Sequence, residues 1–265
     1  MSGWRDEMKP ALFLFLSLLA FSLRAQAPAP AVVEIFAEPH HHLAVENSYV
    51  RAWRFNLPAG ESTLLHAHNV PYVTVSLGAA EFANDVAGKP EVRGKTVDGQ
   101  INYSRGGFAH LVRADAGVPF NNVTMELLHP QGEPHNICEK IVDGPLKDCS
   151  SDFSKLPPGS QSRTAAAAMQ QKRLFETDDV LVTSFSFALK QSYSESGPQR
   201  ARLLIVGNDA ELQVEMPGEA TKSLHGGEVL WIDAGKNLTI VTPGEHEVTH
   251  FFVLSFKTAG EAAKP

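Results

Sequence analysis

Hydrophobic and polar residues alternate along most of this chain, in short runs bounded by Gly, Pro, Asn or Asp. "YVRAWRFNL", "YVTVSL" and "NVTMELL" lie in the first half. "VLVTSFSFAL", "RLLIVG", "GEVLWI", "NLTIVT" and "HFFVLSF" lie in the second. Apolar residues at every second position are the signature of strands with two different faces. Many short strands punctuated by turn residues predict an all-β sandwich or barrel. The 17 Pro and 20 Gly fit that reading and oppose long helices. Residues 130–172 lack strand periodicity and read as a linker. Propensity alone allows a short helix there, around "TAAAAMQQKRLF".

The two groups of strands resemble each other. "VRAWRFNL" at 50–57 aligns with "VTSFSFAL" at 182–189, placing Trp53 on Phe185, Phe55 on Phe187 and Leu57 on Leu189. Further on, "DGQINYSRGGFAH" aligns with "GGEVLWIDAGKNL", which sets Gly99 on Gly227 and Gly107 on Gly235. A repeat of this length predicts two β-domains on one plan rather than one large sandwich.

Composition narrows the chemistry. The 265 residues carry a formal charge of -7 and no basic run, so nothing supplies the electrostatic footprint of a nucleic-acid partner. The first 25 residues have the zones of an export signal: Arg5 and Lys9, the apolar run "ALFLFLSLLAFS", then small residues ending at Ala25. A helix over that run rises about 18 Å, short of the roughly 30 Å of a bilayer core, which favours a cleaved leader over a permanent anchor. The expected location is secreted or periplasmic. In an oxidising compartment Cys138 and Cys149 are expected to pair as a disulfide within the linker, since no C-x-x-C spacing supports a metal or redox role.

The candidate chemistry begins with "GESTLLHAHNVPY". In a strand His66 and His68 project to one face, with Ala67 opposite, and two imidazoles so placed can grip one ion or simply face water. His40, His41 and His42 form a second group. Alternation allows only His40 and His42 to share an ion, and the segment is expected to be an exposed polar lead-in.

The spacing Gly60-x5-His66-x-His68, followed by Gly99, Gly107 and His110, resembles the two motifs of the cupin superfamily. Tyr72 stands where the first motif has glutamate, Gly78 falls one residue short, and Arg105 and Ala114 replace the proline and asparagine of the second. The resemblance implies two tandem jelly-roll (double-stranded β-helix) barrels: domain 1 over 32–129, the linker over 130–172, and a degenerate domain 2 over 173–257. It also implies that His66, His68 and His110 face one another inside the first barrel. There they would hold a divalent transition metal: Zn, Fe, Mn, Ni or Cu. In the repeat the corresponding positions fall near Pro198, Arg200 and Leu238, so the second barrel is expected to lack a ligand set.

Nucleophile-elbow, P-loop, dinucleotide and H-E-x-x-H signatures do not occur. Two classes of function stay open. One is an exported metal-dependent enzyme acting on a small organic or sugar-like substrate, with Tyr72 and Arg105 as candidate substrate-binding residues. The other is a non-catalytic binding or structural bicupin. The partner expected in either case is a small molecule, with no nucleic acid, no membrane after signal removal, and a homodimer left open.

Overall fold

The computed structural model describes residues 31–131, 144–145, 170–188, 191–195, 199–243 and 248–257. The expected leader and the Cys138–Cys149 pair lie outside the described residues. Among those described, the only helical turn is a 3-10 turn at Ile35–Ala37, and no helix is long and apolar enough to cross a membrane.

Four sheets build two barrels. In the first barrel, one sheet runs β1 (Val33–Glu34), β4 (His66–His68), β9 (Phe108–Ala114), β6 (Ala80–Val86), β7 (Val92–Thr96). Facing it is β11 (Gly144–Pro145), β8 (Ile101–Ser104), β5 (Tyr72–Ser76), β10 (Phe120–Leu127), β3 (Val50–Leu57), β2 (His41–Glu46). In the second barrel, one sheet is β12 (Gln170–Glu176), β13 (Val180–Ala188), β20 (Val248–Phe256), β15 (Arg202–Val206), β18 (Val229–Ile232). The other is β14 (Ser192–Ser194), β19 (Thr239–Val241), β16 (Glu211–Glu215), β17 (Lys222–His225).

The repeat seen in the sequence is a repeat of topology. The order β2-β3-β10-β5-β8 recurs as β12-β13-β20-β15-β18, and β4-β9-β6-β7 recurs as β14-β19-β16-β17. Strand order also corrects the alignment near the histidines. The counterpart of β4 is β14, which pairs with Val241, Ile240 and Thr239; it carries no histidine, and the side chain it turns inward is Tyr193, packed on Phe185 and Phe187.

Period-2 patterning decides what each face buries. Val73, Val75, Val123, Met125 and Leu127 point away from the first barrel's interior. They pack, with Val50, Ala52, Ile101 and Tyr103, against Val180, Val182, Leu203, Ile205, Phe252, Leu254 and Phe256 of the second barrel. Among the described residues the largest apolar core is therefore the seam between barrels. The second barrel is also apolar inside, filled by Phe185, Phe187, Phe251, Leu204, Leu212 and Ile240. The first is not: its smaller core of Phe55, Leu57, Ala80, Val112, Ala114 and Phe120 occupies one part of the interior and leaves a cavity beside it.

Two local expectations change. Where propensity alone allows a short helix around residues 164–175, the chain is a strand from Gln170 onward, which begins inside the expected linker. Leu174 is fully buried in the seam and the segment hydrogen-bonds along β13, so packing and ladder overrule alanine-run propensity. The expected lead-in at His40–His42 is partly strand: β2 pairs with β3, placing His41 opposite Phe55.

Candidate metal centre

Two adjacent strands carry the first three histidines. In β4, His66 and His68 are buried at 1% and 3% exposure, and Ala67 faces the other way. Antiparallel pairing sets His66 directly opposite His110 on β9. The tight turn before β9 needs glycine. Gly106 has φ +68°, and a Cβ there would lie 2.3 Å from the Val70 carbonyl oxygen. Gly107, also at positive φ, donates its N–H to the His68 carbonyl at 2.6 Å, which brings β9 into register with β4. The rings gather accordingly, with His110 centred 4.6 Å from His66 and 5.1 Å from His68.

The fourth histidine comes from the opposing sheet. His41, on edge strand β2, is buried, and its ring centre lies 4.9 Å from that of His66 and 6.0 Å from that of His68. His41, His66 and His68 each offer a nitrogen within 4.8 Å of the others, close enough to share one ion. The expectation of an exposed lead-in there is thus corrected. Glu38 is the reason: its carboxylate, 1% exposed, accepts from His41 Nδ1 at 2.6 Å, from His40 Nδ1 at 2.9 Å and from the His40 backbone N–H at 3.0 Å. These bonds fold the chain back so that His41, not His40, turns inward.

The hydrogen bonds also fix tautomers. A carboxylate or a carbonyl oxygen only accepts, so His41 Nδ1–H donates to Glu38, His66 Nδ1–H to the Leu64 carbonyl at 2.9 Å, and His110 Nδ1–H to Asn84 Oδ1 at 2.8 Å. In the neutral ring each Nε2 then carries a bare lone pair. His66 Nε2, His110 Nε2 and His68 Nδ1 are buried without a partner. Orphaned acceptors of this kind are costly in a folded protein unless something binds them, and a metal ion suits neutral imidazole nitrogens steadied through their other N–H.

Electrostatics keep the rings ready. Burial holds His66 down to about 4, His110 to about 3 and His68 to about 2, with the neighbouring imidazoles adding to the depression. Burial likewise lowers His41, against the opposing pull of Glu38. Burial alone would raise Glu38, but the hydrogen bonds from His41 and His40 outweigh it and bring the carboxyl to about 2. The site therefore pairs neutral donors with one buried negative charge behind His41.

Beside the histidines opens a cavity of about 730 Å³. Tyr72 lines it and stacks on His68, ring centres 4.4 Å apart at 27°. Arg105, the other expected substrate-binding residue, is exposed in the turn after β8 and is not among the described residues lining the cavity.

Neither a protein-family model nor a curated protein matches the sequence. Solved structures do match. A glyoxylate-induced protein from Pseudomonas aeruginosa is similar over 81% of this chain and 77% of its own, with a TM-score of 0.55 and 10% identity. Salicylate 1,2-dioxygenase from Pseudaminobacter salicylatoxidans is similar over 78% and 71%, with a TM-score of 0.54 and 14% identity. A vicilin from Solanum melongena, described as holding different anionic ligands in structurally similar pockets, is similar over 78% and 75%, with a TM-score of 0.52 and 12% identity. The fold is a tandem cupin. Tyr72, at the position of the first motif's glutamate, stacks on His68, and the Glu38 carboxylate reaches the histidines indirectly, through His41. No motif of the sequence pointed to Glu38 or Asn84. Nor did "AEPHHHL" single out His41, whose inward turn depends on its pairing opposite Phe55 and on Glu38.

Proposed function

We propose that the first barrel is a metal-dependent centre that binds and transforms a small molecule. His41, His66 and His68 hold one divalent transition metal, with His110 as a fourth nitrogen donor beside them. The observation that carries this reading is the set of buried, unpartnered nitrogens on His66, His68 and His110, two of them, His66 and His110, on rings whose other N–H is already anchored. An all-nitrogen neutral donor set suits zinc, iron, nickel or copper rather than magnesium or calcium, which prefer oxygen. When bound, the ion supplies Lewis acidity to a substrate oxygen, or oxygen activation if it is iron.

The chain's own residues do the rest. Glu38 orients His41 and offsets part of the cation's charge. Asn84 and the Leu64 carbonyl hold His110 and His66 in the ligating tautomer. Tyr72 packs against His68 and forms part of the wall that meets substrate. The likeness in fold to a salicylate 1,2-dioxygenase supports small-molecule chemistry in a barrel of this kind. We propose further that the chain is exported and its leader removed, on the strength of residues 1–25.

Elemental analysis of the purified protein after metal loading tests the site. One equivalent is expected in the wild type, with loss in His41→Ala, His66→Ala and His68→Ala and weaker retention in His110→Ala. Glu38→Gln is expected to lower affinity by about 10- to 100-fold, the usual effect of removing a partner that orients a ligand. A wild type that takes up no metal, or alanine variants that keep it, would overturn the reading.

A further inference from the structure

The inner face of the first barrel is polar where the corresponding face of its twin is apolar. Along β5, β8 and β10 the residues between the seam positions are Thr74, Asn102, Asn122 and Thr124, and all four line the cavity. Thr96, at the end of β7, and Gln100 complete an arc of neutral amides and hydroxyls. These groups are partly bonded to one another: Gln100 Nε2 donates to Asn102 Oδ1 at 3.1 Å, Asn102 Nδ2 to Thr74 Oγ1 at 3.2 Å, and the Thr124 hydroxyl to Asn122 Oδ1 at 2.7 Å. An amide has two donors and two acceptor sites, so each bond leaves capacity to spare. Thr96 Oγ1 uses none of its own: the residue is 5% exposed, and the hydroxyl is buried without a partner.

Charge is absent from the arc. No Asp or Glu occurs among the described lining residues. The cations there, Arg93 and Lys95, have side chains 66% and 74% exposed and are already paired with Asp115 at 3.3 Å and Glu81 at 2.5 Å. An ionised group placed against the arc, rather than at the histidines, would lose its hydration without meeting an opposite charge, which is strongly unfavourable. A neutral molecule bearing several hydroxyls would meet donors and acceptors together. The remaining wall is aromatic, with Phe82 and Phe120 stacked at 4.5 Å and 2°. That surface suits the C–H face of a saturated ring. A volume near 730 Å³ is within the range of small-molecule sites, about 300–1,000 Å³.

We propose that the ligand of the first barrel is an uncharged, polyhydroxylated ring compound of the sugar or cyclitol class. Its hydroxyl edge lies along Thr74, Thr96, Gln100, Asn102, Asn122 and Thr124, and its apolar face lies toward Phe82 and Phe120. This rests on the reading of the barrel as a small-molecule site and names the class of molecule.

The test is calorimetric titration of the metal-loaded full chain with a matched panel: neutral mono- and disaccharides and myo-inositol, the corresponding uronates, and the corresponding amino sugars. At least one neutral member is expected to bind more tightly than its charged counterparts. Thr96→Val, close to isosteric, and Asn102→Leu are each expected to weaken it by about three- to tenfold, the scale of one lost neutral hydrogen bond. Metal content is measured on the same samples and should stay at the wild-type level. Binding of no neutral member, preference for a uronate or amino sugar, or affinity indifferent to Thr96→Val overturns the proposal. Sugar binding by a wild type that takes up no metal on loading overturns the metal reading instead and leaves this one standing.

Discussion

His41, His66 and His110 commit Nδ1 to an oxygen acceptor, and keeping these rings and that of His68 buried and neutral carries a cost the protein meets only near neutral pH. His66, His110 and His68 have folded-state pKa values of about 4, 3 and 2 against 6.5 for the free imidazole. The unfolded chain therefore takes up protons below pH 6.5 that the folded chain refuses. Stability is full above that pH and falls as pH descends through the window toward the folded values. Glu38 acts in the same direction lower down: its carboxyl falls from 4.5 to about 2, so its contribution is present above 4.5 and lost toward 2. In the metal-free protein the melting temperature is expected to be level above pH 6.5 and to decline steadily below it. The His110→Ala variant should decline less steeply. Circular dichroism melts of both proteins across this range check the point, and a wild-type curve that stays level to pH 4 would contradict it.

At the scale of strands, the two faces of the sheet containing β5 and β10 carry different tasks. Met125 on the outer face is fully buried in the seam, whereas Thr124 on the inner face lines the cavity. Met125→Ala is expected to destabilise the protein by about 2–5 kcal/mol while metal content stays unchanged. Thr124→Val should alter stability far less and instead change ligand binding. Urea unfolding of both variants beside titration separates the two outcomes. The same pair shows what could be read from sequence. "YVTVS" and "NNVTMEL" announce strands and announce alternation, so the all-β class and the repeat were legible. Alternation does not say which face is inside a barrel. Here the apolar set of Val73, Val75, Val123 and Met125 serves the partner barrel, and the polar set, easily taken for a solvated face, lines the interior. The H-x-H pair and His110 were legible because spacing placed them. His41 was not, because its inward turn depends on Glu38 and on pairing with β3, neither of which leaves a local pattern.

Across the whole molecule, one topology is used twice with opposite fillings: the second barrel is packed with phenylalanine and leucine, and the first is hollow beside its histidines. A hollow barrel gives up internal apolar contacts, and the seam supplies them from outside. Val50, Val75, Val123, Met125 and Leu127 lie against Val182, Leu203, Ile205, Phe252 and Leu254 in one continuous core. Polar contacts tie the same region: Gln131 Nε2 donates to Asp179 Oδ2 at 3.2 Å, and the Thr177 hydroxyl donates to Gln131 Oε1 at 2.6 Å. The barrels are therefore expected to unfold together. Trp53 lies in the first barrel and Trp231 packs at the seam from the second; in protein lacking residues 1–25, and with them Trp4, the Trp53→Phe and Trp231→Phe variants let each be followed alone. Both reporters should give one coincident urea transition, the mark of a single cooperative unit. Expressed without the second barrel, residues 31–131 would present the seam face to water as an apolar surface and should aggregate or stay unfolded. The second barrel, apolar inside, should retain more structure on its own. Two separated transitions, or a soluble and folded first barrel, would show that the hollow half stands without its twin.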